Sequence, residues 1–483
     1  MNDSLSKAIS VALTGGIFGR GLRYGLTFVI AHGLGPQALG IFSFGLVVVK
    51  AGSVISRLGL QNAAQKYVSI YDSNDDTAGV SGVVVVCLVS SAVTGTLVAT
   101  GIFLSGDLIE RYVGTSLSGT IYPFLAGIPL FATMMIGMAA TRGLKETKYS
   151  VYIRDVGQSV LVFGFALVGS YVASSLATII WGYVFSLLVG CVLALYFLFR
   201  QNALSFSVRP RLEVKKLYLY SLPLLFATVT QYLISWTDIL MLGVFESADT
   251  IGTYQVAFQT TLMLTILLQS ASWIYPAVAA DFYHNSKITR LGRLHTALTK
   301  WITYVTVLGC LFVITYSEEI LQVFGSEFLV AEETLIILAV GQTVSTATGP
   351  VSYLLSMTEY EKLELLNTSI VSLLNVGLNY VLIQRWGIVG AAVATATSLS
   401  ILNVVRATEV WWLVDIQPYS RRYWKGVVGI LVTLPILVVG KYSGIPDLVT
   451  VLLFGPAVLL VFFVVVTLLG YDEEDRLLIE SIQ

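Results

Sequence analysis

The sequence predicts an all-α, polytopic membrane protein of about 14 transmembrane helices: two parallel six-helix lobes followed by two further C-terminal helices. Three observations carry that expectation. Of 483 residues, 56% are hydrophobic and only 12% charged, where a soluble domain carries about 25% charge. The apolar residues gather in long runs, as crossing ~30 Å of hydrocarbon with ~20 residues requires. Short features of the first half also recur roughly 212 residues later.

In order, the first six runs cover approximately 11–31, 38–56, 80–104, 121–140, 151–172 and 176–199. The next six cover 217–244, 252–275, 301–316, 334–355, 365–383 and 387–405, and the last two 426–440 and 448–469. Barrel strands are excluded, because they would alternate polar and apolar residues over about ten positions. The first run reads as a retained span rather than a cleaved signal peptide. It is too long, carries Arg20 and Arg23 at its middle and lacks a small-x-small cleavage site before the next span.

Orientation follows from the basic residues. With the N-terminus in the cytoplasm, 22 Lys and Arg fall inside and 3 outside (Arg111, Arg385 and Lys441). The positive-inside rule thus places both termini in the cytoplasm of a cell that carries the protein in its plasma membrane. A missed span would reverse the alternation from that point on.

The recurrence suggests an internal duplication. Gly33-Leu34-Gly35-Pro36 followed by Gly40-Ile41-Phe42 is echoed by Gly243 and Gly252-Thr253-Tyr254. The join Thr141 to Glu146 is echoed by Thr358 to Lys362 at an offset of 217, and Val162-Phe163-Gly164 by Asn375-Val376-Gly377 at 213. Six spans is an even number, so the halves insert in the same sense and are related by an axis along the membrane normal. The expected organisation is a lobe over 1–200, a basic connector and hinge over 201–216, and a lobe over 217–415. Two extra helices over 416–470 and a solvated cytoplasmic tail over 471–483, including Asp472 to Asp475, complete it. Asp281 to Lys300 is expected to be a polar interfacial helix.

Charges inside spans are costly and face a cavity or a partner. Arg20 and Arg23 are three apart, on one helical face. Lys50 lies in the second span and Arg57 at its end, with no acid in either span. The repeat places Tyr232, Ser235 and Leu262 at the positions equivalent to Arg20, Arg23 and Lys50, so the cations are not a requirement of the fold. An uncompensated cationic patch suits an anion, and the arginine fork suits phosphate oxygens. Snorkelling, or pairing with Asp155 or Asp238, accounts for the same residues without a ligand. Gln231, Trp236 and Asp238 in the seventh span, with Gln255 and Gln259 in the eighth, are polar but not cationic, which suits a sugar. Asp238 also reads as a proton or sodium site or a salt-bridge partner.

Several chemistries are missing from the sequence. The balance of 28 basic and 29 acidic residues creates no field for nucleic acid. No GxxxxGK[ST], GxSxG, HExxH or metal-spaced cluster occurs, so no cofactor or catalytic residue is expected. Cys87, Cys191 and Cys310 lie far apart inside apolar runs and read as core residues.

The six-plus-six-plus-two plan, the Gly33–Pro36 to Gly40–Phe42 turn and the run Leu58-Gly59-Leu60-Gln61-Asn62 carry a resemblance to a known family. Over roughly residues 5 to 470 the chain resembles the multidrug/oligosaccharidyl-lipid/polysaccharide exporter superfamily, in particular its polysaccharide-flippase branch. That resemblance implies a V-shaped, alternating-access flippase that moves a polyprenyl-(pyro)phosphate-linked oligosaccharide to the outer leaflet. It also implies that basic cavity residues hold the phosphate, a role Arg20, Arg23 and Lys50 match by type and depth. The implied partners are the lipid-linked sugar, membrane lipids, and glycosyltransferases or a polymerase of the same pathway. The alternatives are a cation-coupled exporter of the same superfamily and a membrane glycosyltransferase.

Overall fold

The computed structural model describes residues 3–106, 115–204, 209–272, 274–420, 423–442, 445, 447–470, 472 and 475, with side chains described from Phe18 except at 115–119 and 447. Arg111, Arg421, Arg422, Arg476 and most of the 471–483 tail lie outside these residues. Every regular element among the described residues is helical. In order they are α1 (Asp3–Arg57), α2 (Leu60–Asp72), α3 (Thr77–Leu104), α4 (Thr115–Leu125), α5 (Gly127–Gly143), α6 (Thr147–Val172), α7 (Leu176–Arg200) and α8 (Val214–Phe245). There follow α9 (Ala248–Ala271), α10 (Tyr275–His284), α11 (Ile288–Thr315), α12 (Ser317–Gln322), α13 (Glu332–Thr346), α14 (Val351–Met357), α15 (Glu361–Val414), α16 (Trp424–Lys441) and α17 (Asp447–Leu468).

Twelve helices among the described residues are long and apolar enough to cross a membrane, which makes the chain a multi-pass membrane protein. Two of the twelve are interrupted. α1 breaks at Gly35, where φ is 80°, a left-handed value that costs a residue with a Cβ and not glycine. Pro36 then starts the next helical run with its φ already set and no N–H to leave unpaired. α15 breaks in the same way at Gly387, with φ 55°. Counting each side of the two breaks separately gives fourteen segments among the described residues. Most overlap closely with a run read from the sequence, while α11 begins at Ile288, well before the run 301–316, and α15 continues to Val414, beyond the run 387–405.

The duplication is written in the backbone as well. Non-glycine residues with positive φ end helices at Asp75, Lys145, Ser174 and Asn202 in the first half. Their counterparts in the second half are Ser286, Glu359, Gly387 and Asp415, at offsets of 211, 214, 213 and 213. The 217-residue offset read from the charged letters at Thr358–Lys362 is therefore displaced by three. The left-handed residue that closes the tenth span is Glu359, the repeat equivalent of Lys145, which closes the fourth. The repeated turns also touch reciprocally. A Cβ on Gly40 would lie 1.7 Å from the Ala248 carbonyl oxygen, and one on Gly252 would lie 2.0 Å from that of Pro36. Residues 40 and 252, and 36 and 248, are equivalent in the repeat, so each turn presents the same glycine to the other's carbonyl within the first unit.

The chain divides into two compact units, Met1–Gly252 and Thr253–Gln483. In the first, α2 is amphipathic and buries Leu60, Ala63, Ala64, Val68 and Tyr71 on one face. The described part of the connector is fastened to this unit. The Arg211 amide donates to the Ala78 carbonyl at 3.0 Å, and the Arg211 guanidinium meets Asp76 at 2.6 Å. Glu213 accepts from the Tyr71 hydroxyl at 2.6 Å and from Lys216 at 2.8 Å.

In the second unit, two expectations are corrected. The polar segment 281–300 is not one interfacial helix. α10 ends at His284, Ser286 turns the chain with φ 56°, and residues 288–300 are the first turns of the spanning helix α11. Nor are Asp472 and Asp475 solvated: they are 8% and 4% exposed. Lys300, also buried, reaches Asp472 at 3.0 Å and Asp475 at 2.8 Å, while Lys425 reaches Asp472 at 2.7 Å. Trp301 donates its indole N–H to Asp475 at 2.9 Å. A lysine on an apolar helix cannot be buried unpaired, so the chain after α17 folds back to neutralise it.

Candidate functional site

A cavity of about 100 Å³ lies within the first unit. Arg23 (α1, before its break), Lys50 (α1, after it) and Arg154 (α6) bring charge to its wall, Gln158 and Ser159 neutral polarity, and Tyr183 an aromatic ring. Leu22, Leu46 and Phe131 are among its apolar lining residues.

The cations converge because of two local departures from ordinary helix. The Gly35 break folds α1 back on itself, so residues 23 and 50 face the same space. In α6, residues Val151–Gln158 form a π-helix, whose wider turn inserts an extra residue and re-aims the side chains that follow. Such bulges recur at functional sites, and this one carries Arg154, Asp155 and Gln158. It sits close against α1: a Cβ on Gly19 would lie 2.7 Å from the Asp155 carbonyl oxygen.

Around the cavity, the charge is mostly of one sign. Arg154 lies near enough to Arg23, Lys50, Arg57 and Arg142 for its charge to act on each. Asp155 acts on Arg20 and Arg23. Its carboxylate stands 3.6 Å from Arg23 Nη1, which also donates to the Ser159 hydroxyl at 3.5 Å. Both distances are long beside the 2.7–2.9 Å of a firm guanidinium–carboxylate bond.

The sequence-derived candidates thus separate. Arg23 and Lys50 line the cavity, and Arg20 lies one turn away beside the same aspartate. Arg57 is 2% exposed. Its Nε donates to the Ser53 carbonyl at 3.1 Å, and its Nη2 has no hydrogen-bond partner among the described residues. Trp236 faces the cations rather than standing apart from them: its ring lies 5.2 Å from Lys50 Nζ and stacks on Tyr232 at 4.2 Å. Gln231 is exposed on the same helix. Asp238 is buried, and its carboxylate accepts from the Ile239 amide at 2.8 Å. Gln255, buried with no hydrogen-bond partner for Oε1 among the described residues, and Gln259, half-buried, belong to the second unit.

Arg154, Gln158, Ser159 and Arg142 are absent from the sequence-derived set. Arg142 and Arg154 were counted there as cytoplasmic charges. The signal for Arg154 was nevertheless present: it stands inside its own apolar run, with Gln158 one turn further along.

Comparison with known proteins adds the following. Residues 5–280 match the family model described as polysaccharide biosynthesis protein, and residues 223–381 match the MatE model. A Haloferax volcanii protein named "Probable low-salt glycan biosynthesis flippase Agl15" is 28% identical over 418 residues, 84% of each chain. A second from that organism, "Probable flippase AglR", is 23% identical over 389 residues, 79% of this chain and 78% of the other. Among solved structures, the lipid II flippase MurJ in its inward closed conformation superposes with TM-score 0.72 at 15% identity, covering 93% of this chain and 97% of its own. An inward-facing multidrug transporter of the MATE family and MOP superfamily gives 0.69 at 16% identity, covering 82% and 94%. At these identities the likeness is one of fold.

Proposed function

The chain belongs to the polysaccharide biosynthesis protein family, and from that premise we propose that it is a flippase for lipid-linked glycans. It moves a polyprenyl-(pyro)phosphate-linked oligosaccharide from the cytoplasmic to the outer leaflet by alternating access. The observation that carries this reading is the cavity in which Arg23, Lys50 and Arg154 meet inside a membrane-spanning unit. The name of Agl15, a glycan biosynthesis flippase, supports this substrate class, and AglR and MurJ are likewise named as flippases.

The chemistry is binding and release, with no bond made or broken. In this reading the head-group phosphate is drawn to the cations, where low dielectric strengthens each charge-assisted bond. Arginine supplies paired donors to phosphate oxygens, and Lys50, held over the Trp236 ring, supplies a compact charge. Gln231 and Asp238 of the first unit, and separately Gln255 and Gln259 of the second, are the polar groups proposed for the glycan, and the polyprenyl tail stays in lipid. Both termini lie in the cytoplasm of the cell that carries the protein in its plasma membrane. The lobes run over 1–200 and 217–415, with the extra helices over 416–470. Glycosyltransferases or a polymerase of the same pathway supply and consume the substrate.

The test is transport in liposomes containing the purified protein and a labelled polyprenyl-phosphate oligosaccharide, followed by leaflet-selective quenching. Protein-dependent flipping is expected, and Arg20→Ala/Arg23→Ala is expected to lose most of it while folding normally. Absence of flipping with several lipid-linked glycans, together with drug efflux, would replace this reading with the cation-coupled exporter.

A further inference from the structure

Beside the cavity, against its lining residue Arg23, stands a charge that a phosphate site does not call for. Asp155 sits on the π-helical turn beside Arg154, and its carboxylate points to Arg23 at 3.6 Å. It also acts on Arg20. A carboxylate among guanidinium groups opposes an anionic ligand, so its presence needs a reason.

The geometry narrows what that reason can be. The backbone of Asp155 is fixed, because Gly19 of α1 packs directly on its carbonyl and a Cβ there would intrude. The side chain is held far less firmly. Its contact with Arg23 is longer than a firm ion pair, it is 20% exposed, and Arg23 is 41% exposed. Arg23's bond to Ser159 is equally long. An aspartate placed to secure Arg23 permanently would close the pair at 2.7–2.9 Å with both guanidinium nitrogens engaged. This one occupies the arginine without holding it fast.

We infer that Asp155 is a built-in counter-anion: its carboxylate occupies Arg23 while the cavity is empty, and an incoming phosphate displaces it. This rests on the phosphate reading of the cavity proposed above. In the empty state the carboxylate lowers the cost of keeping guanidinium groups inside a span. When substrate arrives, its phosphate presents non-bridging oxygens free to engage both guanidinium nitrogens, with additional charge where the linkage is a pyrophosphate, and takes over Arg23. When the site opens, the returning carboxylate competes with the phosphate and speeds its release. A transporter needs that balance, since a site that only attracts its ligand would capture without letting go.

The test is equilibrium binding of farnesyl phosphate to the full chain in lipid nanodiscs, with farnesol as the uncharged control. Five proteins are compared: wild type, Asp155→Asn, Asp155→Ser, Arg23→Ala and Arg23→Ala/Asp155→Asn. Removing a unit charge a few ångströms from the ligand should tighten binding about five- to tenfold in both Asp155 variants. In the Arg23→Ala background the gain should fall below about twofold, because the competition is for that arginine. Flipping at saturating substrate should slow in Asp155→Asn as release becomes limiting. Binding unchanged or weakened in both Asp155 variants overturns the counter-anion while leaving the phosphate site intact. So does a full gain that persists without Arg23. If the wild type binds farnesyl phosphate no better than farnesol, the phosphate reading fails and this inference with it. Should Asp155→Asn not fold, Asp155→Ser decides.

Discussion

Lys50 illustrates how a single side chain is placed for work. A lysine within a span is costly unless its charge meets something, and here it meets the Trp236 ring at 5.2 Å and the cavity. Lys50→Gln should weaken farnesyl phosphate binding about tenfold, as loss of a buried charge-assisted bond implies. Trp236→Leu removes the cation–π contact, worth about 0.5–2 kcal/mol, and the stacking on Tyr232, while leaving the ammonium in place. It should lower thermal stability modestly and leave binding within about threefold. Equal losses in the two variants would mean that the ring, and not the ammonium, makes the ligand contact. At this scale the sequence was legible where a charge violated its surroundings, as with Arg23 and Lys50. It was less legible for Arg154. Three residues into an apolar run, an arginine looks like a flanking charge, and only the π-helical turn reveals that it points into the cavity. Trp236 was read as a sugar platform because nothing in the letters placed it beside Lys50.

Between helices, two contacts have measurable consequences. Gly40 and Gly252 let the repeated turns meet backbone to backbone. A Gly40→Ala methyl would have to displace a carbonyl at 1.7 Å, a strain of about 1–3 kcal/mol as in overpacked cores. Thermal unfolding in detergent should show it, whereas Gly21→Ala, with open space around its Cβ position, should be neutral. The second contact closes the basic end of α11. Burial pushes the Asp472 carboxyl up, and the bonds from Lys425 and Lys300 more than reverse that push, leaving it below the usual range. Asp472→Asn/Asp475→Asn strands Lys300 and should cost about 3–5 kcal/mol. The sequence treated those acids as a tail because sequence distance hid a partner 172 residues away.

The connector responds to pH instead. Bonds from Lys216 and Tyr71 hold the Glu213 carboxyl down to about 2. A depressed acid stabilises the folded state fully above its unfolded pKa of about 4.3, and the contribution is lost as pH falls from there towards 2. The hydrogen-exchange protection factor of the Arg211 amide, bonded to Ala78, should therefore fall over that window. Added salt should shrink the effect, since the pair is exposed. A protection factor that is flat from pH 5 to 2 would show that Glu213 does not fasten the connector.

For the whole molecule, membrane class, span positions and duplication were all readable, because lipid imposes a length and a polarity on each helix. The two glycine breaks were readable as short turns between runs, although the helices are otherwise continuous through them. Repeat register was harder. Letters matched at 217 where the backbone repeats at 214, since what the duplication preserves there is a left-handed turn and not a charged residue. The asymmetry between the halves carries the functional reading: the fold repeats, and the cations do not. Tyr232, Ser235 and Leu262 stand where the second half would have needed Arg or Lys.

The central claim is that the cavity of the first unit receives the substrate's phosphate. The most direct measurement is a cryo-electron microscopy structure of the full chain in nanodiscs with a polyprenyl-phosphate-linked oligosaccharide. The account predicts phosphate density in contact with Arg23, Lys50 and Arg154, and the Asp155 carboxylate turned away from Arg23. A head group bound elsewhere, with this cavity unchanged and empty of ligand, would contradict it.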